Sequence, residues 1–158
     1  MRDTVGSVTE LLKYDDDKAL ALMDGAATVN RIVRGASAEQ LAGRRFGEWS
    51  AIDLIAHLTD TAEVFAERVR RAIEEDAPRV EVIPAGRQLD VRDPMELARR
   101  LLRAHQRIVA YLQAPGAAQR PLVHSEWGRA DAGHVAAYQA DHTTEHVTEL
   151  AAAFPPAA

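Results

Sequence analysis

Apolar side chains recur every three or four residues along four long stretches of this chain, a spacing typical of helices with one buried face. The stretches run from about Ser7 to Arg34, from Ser50 to just before Pro78, from Pro94 to about Pro115, and from about Asp131 to Ala153. No alternating pattern longer than a few residues competes, although Arg79–Ile83 could form a short extended piece. The sequence therefore predicts an all-α four-helix bundle.

The ends of the predicted helices carry their own signals. Ser50 is a good N-cap residue with Asp53 at the capping-box distance, and Pro94 suits the first turn of the third helix. The second linker, roughly 17 residues from Asp76 to Arg92, could extend over about 50 Å, more than the ~30 Å of a 20-residue helix. Helices two and three can therefore run parallel, joined by a long crossover. In the first helix, Asp15–Asp17 form either a solvated face or a break.

Composition limits the classes of protein that the chain can be. Its 158 residues suit one domain, 1–158, and 47% hydrophobic with 27% charged residues is typical of a globular protein. A formal net charge of -5 does not favour nucleic-acid binding. No stretch reaches the ~18 apolar residues of a membrane span and no apolar signal core is present, so we expect a cytoplasmic protein. With no cysteine, a transition-metal site must use nitrogen and oxygen ligands.

Three histidines stand out for their spacing. His142 and His146 lie one turn apart on the fourth predicted helix, and His57 lies in the second turn of the second, in an otherwise apolar stretch. If these two helices pack antiparallel, the three imidazoles fall at one level and can share a divalent ion with coordination positions left open. Taken alone, the H-x-x-x-H spacing is also found in ordinary surface pairs, and that alternative stays open.

Two segments resemble the DinB superfamily. Glu48–Ser50 followed by Asp53–Leu58 is similar to the "WS…HL" opening of its second helix, and Glu126–Arg129 followed by Asp141–His146 is similar to its closing "G…H-x-x-x-H" segment. The resemblance extends over nearly the whole chain in the order and spacing of these elements. It implies a bundle of up-down-down-up topology, in agreement with the long second linker.

The resemblance also implies a function. It implies a divalent metal, nickel or zinc, held by His57, His142 and His146. It further implies an enzyme that uses a low-molecular-weight thiol such as bacillithiol or mycothiol, as a transferase or an isomerase acting on a small molecule, and it leaves a homodimer open. The alternatives are a metal-dependent hydrolase and a non-catalytic metal-binding stress-response protein. A catalytic centre should border an open cavity, whereas a sequestering one should be closed.

Other residues near the three histidines have two readings. Tyr138 lies one turn before His142 and could line a cavity beside the metal, or be an aromatic at the edge of the core. Glu145 and Asp53 could each orient a ligand imidazole, or be ordinary carboxylates on a helix face. Tyr138 and Glu145 are the candidate catalytic residues. His105, among apolar neighbours, is expected to be a hydrogen-bonded core histidine rather than an extra ligand.

The remaining polar and aromatic residues are expected to have structural positions. His134, one turn before Tyr138, could line the same cavity but is expected to be exposed at the start of the fourth helix, and His124 should lie in a loop. Trp49 and Trp127 should close the ends of the core. The arginines at positions 68, 70 and 71 should form a solvated face.

Overall fold

The computed structural model describes residues 10–84 and 89–156. Four long helices account for most of it, as the sequence predicts, and they are α1 (Asp16–Gly35), α3 (Ala51–Glu74), α4 (Pro94–Tyr111) and α5 (Ala132–Ala153). A short helix, α2 (Ala38–Gly43), follows α1. None of the helices in the described ranges has the length and apolar character to cross a membrane. The fold is mainly helical and forms a four-helix bundle.

Contacts between α3 and α4 show that these helices are parallel. The Thr59 hydroxyl donates to the carbonyl oxygen of Leu97 at 3.2 Å, and one turn further along both helices the Arg100 guanidinium pairs with Glu63 at 2.6 Å. Residue numbers rise together along the two helices. The long linker therefore returns the chain to the starting end of the bundle, as its length predicts.

The pair α1 and α5 is also parallel. Lys18 pairs with Asp141 at 2.5 Å near one end, and the Arg31 guanidinium donates to the carbonyl oxygen of Phe154 at 3.1 Å near the other. α3 runs antiparallel to α5, since His57 contacts His142 and, further along α3, Phe65 contacts Tyr138. Together with the two parallel pairs, this gives the up-down-down-up order. Apolar residues from all four helices meet in one core, and its largest fully buried side chains include Leu22, Ile55, Leu58, Leu101, Ile108 and Leu150.

Short strands close the ends of the bundle. β1 (Arg45–Phe46) and β2 (Trp49–Ser50) form an antiparallel pair directly before α3. β3 (Arg79–Val80) runs parallel to β4 (Pro121–His124), which pairs antiparallel with β5 (Gly128–Asp131) directly before α5. The extended piece predicted at 79–83 is thus present in part. The sequence predicted neither hairpin, because strands of two to four residues carry almost no periodicity.

The first helix starts later than the sequence predicts. The Asp15 side chain accepts from the backbone N–H of Lys18, so Asp15 is the N-cap and α1 begins at Asp16. The aspartates therefore mark the helix start, since short carboxylates compete well for the unpaired N–H groups of a first turn, and all three are exposed to solvent as expected. Residues 10–15 are not helical. The rest of the predicted extension, residues 7–9, lies outside the described residues.

The other predicted helix starts are confirmed. Ser50 and Asp53 form a capping box in which each side chain accepts from the other's backbone N–H. Asp93 caps α4, with Pro94 in the first turn. Asp131 caps α5 by accepting from the N–H of His134. These caps fix where α3 and α5 begin, and so they set the level at which their histidines lie.

Candidate metal centre

The antiparallel packing of α3 and α5 brings His57, His142 and His146 together. The Nε2 atoms of His57 and His142 are 3.1 Å apart. The centroids of the His57 and His146 rings are 5.6 Å apart, and those of His142 and His146 are 4.6 Å apart. The same antiparallel relation appears further along, where the Phe65 and Tyr138 rings meet with centroids 5.8 Å apart.

The spacing of the donor atoms suits one metal ion. One ring nitrogen from each of the three histidines lies within 4.8 Å of the others. Two nitrogens bound to one Zn²⁺ at ~2.0–2.1 Å lie roughly 2.9–3.4 Å apart for bond angles of about 90–110°. The 3.1 Å separation of the His57 and His142 Nε2 atoms falls in that range. The donors are imidazole nitrogens without a thiolate, a set that suits zinc, copper, iron or nickel.

The protonation state of the cluster also favours a cation. Burial, and then the neighbouring His146 and His57, lower the pKa of His142 to about 4. Burial and His146 lower the pKa of His57, against an opposing effect of Asp60. Both rings are therefore neutral at pH 7, and each has a lone pair to offer a metal.

Two neighbours orient these rings. Glu149 lies one turn after His146, and its Oε1 atom is 2.9 Å from His146 Nδ1. That contact directs the opposite nitrogen, Nε2, away from the carboxylate. The Trp49 ring packs against His57 at a centroid distance of 4.7 Å. Glu149 is not among the candidate residues predicted from the sequence, although its position three residues after His146 on one helix is the signal that could have identified it.

An open cleft of about 330 Å³ borders the cluster at His142. Leu12 and Tyr138 form its apolar part, and both side chains are substantially exposed. Asp141 and Glu145 supply its carboxylates. The expectation that Tyr138 lines a cavity beside the histidines matches this position.

The apolar wall of the cleft is fixed by a backbone contact. The N–H of Leu12 donates to the Nδ1 atom of His134 at 2.9 Å, which holds residues 10–15 across the start of α5. The expectation that His134 is exposed is wrong, because this crossing segment and the Trp127 ring cover it and leave 6% of its surface exposed. The sequence could not show this burial, since it depends on a segment more than 100 residues away.

The two carboxylates considered as orienting groups do not contact the histidine rings. Glu145 is exposed on α5 at the cleft, and the described contacts give it no bond to an imidazole. Asp53 caps α3 and pairs with Arg92 at 3.1 Å. These bonds lower the pKa of Asp53 despite its partial desolvation. Glu145 and Asp53 were each considered as a carboxylate that orients a ligand imidazole. Among these side chains, it is Glu149 that contacts such a ring, that of His146.

The other histidines lie away from the cluster. His105 is fully buried and hydrogen-bonded on both ring nitrogens, as expected of a core histidine. His124 lies at the end of β4 and not in a loop, where it accepts from the backbone N–H groups of Glu126 and Trp127. Trp127 stacks on the His124 ring at a centroid distance of 4.1 Å, and this pair closes one end of the core.

The predicted solvated arginine face is correct only in part. Arg70 pairs with Glu67 and Glu74, and Arg71 pairs with Glu75, all along α3. Arg68 is instead buried, and its guanidinium donates to the carbonyl oxygen of Glu81. Residues next to β3 cover Arg68, and the helical pattern alone could not indicate that.

These features define a class of protein, a four-helix bundle with a histidine cluster built from two antiparallel helices and open to a cleft. Residues 21–150 match the DinB superfamily, and the chain belongs to that superfamily. YfiT from Bacillus subtilis, a solved structure, has a similar fold, with a TM-score of 0.71 and 19% sequence identity over 87% of this chain and 85% of YfiT. YfiT is described as a probable metal-dependent hydrolase with an unusual four-helix bundle topology. No curated protein matches the chain.

Proposed function

We propose that this protein is a divalent-metal-dependent enzyme in which His57, His142 and His146 hold the ion. The observation that carries this proposal is the open cleft beside His142. In the described residues the cluster draws its donors from three side chains. Structural zinc sites are closed and four-coordinate, whereas a three-ligand site bordering a cleft leaves a position that a reactant can reach.

The nucleophile that we propose is a low-molecular-weight thiol, and the reaction is thiol transfer or a thiol-dependent isomerisation. The chain has no cysteine, so a thiolate must come from outside it. A bound divalent cation would lower the pKa of a thiol that coordinates it, so that the thiolate would form at neutral pH. Leu12 and Tyr138 would receive the apolar part of the electrophile. The Tyr138 hydroxyl and the Glu145 carboxylate are the cleft groups proposed to move protons.

The charges in the cleft favour one kind of thiol. Asp141 and Glu145 line it, and the nearby Lys18 ammonium pairs with Asp141 at 2.5 Å. The carboxylate of Glu145 repels an anionic molecule that enters beside it. We therefore expect a thiol without carboxylates to be a better cosubstrate than one that carries them.

The second candidate function is hydrolysis, with water as the nucleophile. The likeness to YfiT, described as a probable metal-dependent hydrolase, is what favours it. The same three histidines and the same cleft would serve this reaction, with an ester or amide in place of the electrophile.

The deciding assay compares metal-loaded and metal-stripped protein. We expect conjugation of a generic electrophile with mycothiol, bacillithiol or glutathione to require the metal, and to fall at least ~10²-fold in His142→Ala. Metal-dependent cleavage of an ester without thiol would support the hydrolase instead. Equal rates with and without metal would refute both, and inactivity in both assays would favour a non-catalytic metal-binding protein.

A further inference from the structure

A fully buried hydrogen-bond network lies between the helices beside the histidine cluster. His105 on α4 and Gln139 and Thr143 on α5 have no exposed surface. The Nδ1 atom of His105 is 2.7 Å from the carbonyl oxygen of Leu22, and its Nε2 is 3.0 Å from Gln139 Nε2. Gln139 Nε2 also donates to the Thr143 hydroxyl at 3.2 Å. This network therefore links α1, α4 and α5 without access to solvent.

The donor and acceptor capacities of the groups determine where the hydrogens lie in this network. The Leu22 carbonyl oxygen can only accept, so His105 Nδ1 carries the hydrogen. Burial lowers the pKa of His105 to about 4, against the opposing effect of the bond to Leu22. The ring is thus neutral at pH 7, and its Nε2 accepts. Gln139 must present its amide nitrogen to His105, because turning the amide around would bring two acceptors into contact.

This orientation leaves two buried atoms on α5 that have no hydrogen-bond partner among the described residues, Gln139 Oε1 and His142 Nδ1. Residues three apart on a helix are neighbours, with Cβ atoms ~5–6 Å apart. Oε1 is an acceptor. When His142 Nε2 faces a cation, its Nδ1 carries a hydrogen and becomes a donor. An acceptor and a donor that both need partners therefore lie on successive turns of one helix.

We propose that Gln139 is a positioning residue for His142, with its Oε1 accepting from His142 Nδ1–H through one buried water. Such a water donates to Oε1 and accepts from Nδ1–H, so it satisfies both buried atoms at once. The contact sets the His142 tautomer that directs the Nε2 lone pair toward His57. His105 holds Gln139 in the required orientation. This inference rests on the proposed function, because it takes His142 as a metal ligand.

The test compares two substitutions on α5. Gln139→Met keeps the length of the side chain and removes the acceptor, and we expect it to weaken Zn²⁺ affinity about 10–100-fold in a chelator competition. Thr143→Val is the matched control: it removes a hydrogen bond of the same glutamine and leaves Oε1 in place. We expect it to change the affinity less than about 3-fold, well below the effect of losing an orienting partner.

The tautomer of His142 gives a readout that a merely structural role would not change. In ¹⁵N-histidine-labelled wild-type protein loaded with Zn²⁺, we expect a His142 Nδ1–H signal that exchanges slowly with solvent. The signal should persist in Thr143→Val and disappear or exchange rapidly in Gln139→Met. If Gln139→Met does not fold, Gln139→Glu replaces it. The neutral acid of that variant can donate to His105 and still accept from the water, so it should keep the signal and the affinity.

The possible failures are distinguishable. A wild-type protein that takes up no Zn²⁺ would overturn the proposed metal site, and this inference with it. Zn²⁺ uptake by the wild type, with Gln139→Met matching Thr143→Val in affinity and in the Nδ1–H signal, would overturn this inference alone. A Gln139→Glu protein that folds and loses affinity about 10-fold would also overturn it, on the scale expected for a lost orienting contact.

Discussion

His57 and His142 meet through the same ring atom, with their Nε2 nitrogens 3.1 Å apart across the interface of α3 and α5. Two lone pairs cannot face each other at this distance, so either a proton or a cation must lie between them. Lowered pKa values keep both rings neutral at pH 7, so the contact is either a hydrogen bond from a ring that carries its hydrogen on Nε2 or a cation shared by the two lone pairs. Of the two, only a cation would also take the donor nitrogen of His146, and this is the arrangement that the proposed function requires.

We therefore expect the protein, purified without a histidine tag, to bind about one divalent ion per chain. His57→Ala should weaken Zn²⁺ binding by more than ~100-fold, because it removes a direct ligand and not an outer contact. His124→Gln is the control, since His124 is buried away from the cluster. Elemental analysis and chelator competition measure both. Retained binding in His57→Ala, with loss in His124→Gln, would show that the ligand set is wrong.

The second prediction concerns the carboxylate on His146. Glu149→Ala removes the 2.9 Å contact to His146 Nδ1, so we expect it to weaken metal binding about 10-fold. Glu145→Ala removes an exposed carboxylate one turn earlier on the same helix and is expected to leave the affinity nearly unchanged. The same chelator competition compares them. Equal losses of metal affinity in the two variants would mean that Glu149 acts through its negative charge alone and does not orient the His146 ring.

Local patterns predicted the parts of this fold that local chemistry decides. The Ser50 and Asp53 capping box and the Asp131 cap fixed where α3 and α5 begin. The spacing of His142 and His146, combined with antiparallel packing, placed these histidines level with His57. That step required only the helical rise and the direction of two helices.

Contacts distant in sequence explain what the sequence did not predict. His134 is covered by a segment that ends at the start of α1, and Arg68 is covered by the chain beside β3. Neither partner follows from the periodicity of the helix that carries the residue. The start of α1 was predicted too early because apolar residues such as Leu11 and Leu12 continue the helical spacing beyond the Asp15 cap, although both stay exposed.

The third prediction concerns stability in acid. Burial lowers the pKa of His105 to about 4, below the ~6.5 of an unfolded chain, so the unfolded state takes up a proton first as the pH falls. The contribution of neutral His105 to the free energy of unfolding should be fully present above about pH 6.5 and should be lost between pH 6.5 and 4. The loss from this residue is on the order of 3 kcal/mol.

Urea unfolding of metal-free protein at several pH values measures this loss. His105→Gln removes the titrating ring from the core, so its stability should fall less steeply than that of the wild type across the same interval. Other histidines with lowered pKa values, His142 among them, keep some dependence in the variant. Parallel curves for the two proteins would contradict the assignment to His105.

The fourth prediction tests the packing of α1 on α5. A Cβ atom at Gly25 would overlap the Thr143 side-chain methyl, whereas one at Gly35 meets nothing within 4 Å. Gly25→Ala should destabilise the protein by about 1–3 kcal/mol, because it forces the two helices apart. Gly35→Ala should be neutral or stabilising by about 0.5–1 kcal/mol, since it only reduces the freedom of the unfolded chain. Urea unfolding gives both values, and an equal effect would contradict the close approach.

The last prediction separates metal binding from access to the cleft. Leu12→Trp places a large side chain in the cleft beside His142 and removes no ligand nitrogen, so it should leave Zn²⁺ affinity unchanged and reduce turnover. We expect kcat/KM to fall at least ~10-fold, which corresponds to the ~1.4 kcal/mol lost when a substrate no longer fits its apolar wall. The backbone bond from Leu12 to His134 does not depend on the side chain, so the segment should stay in place.

Leu20→Trp is the matched control for this substitution. Leu20 is the most exposed large apolar residue described, at 58%, and it lies outside the cleft lining. The variant should keep both the metal affinity and the rate of the wild type. If the two tryptophan variants have the same rate, the substrate does not enter through this cleft. If Leu12→Trp also loses the metal, residues 10–15 support the histidine cluster itself, and the separation of binding from access fails.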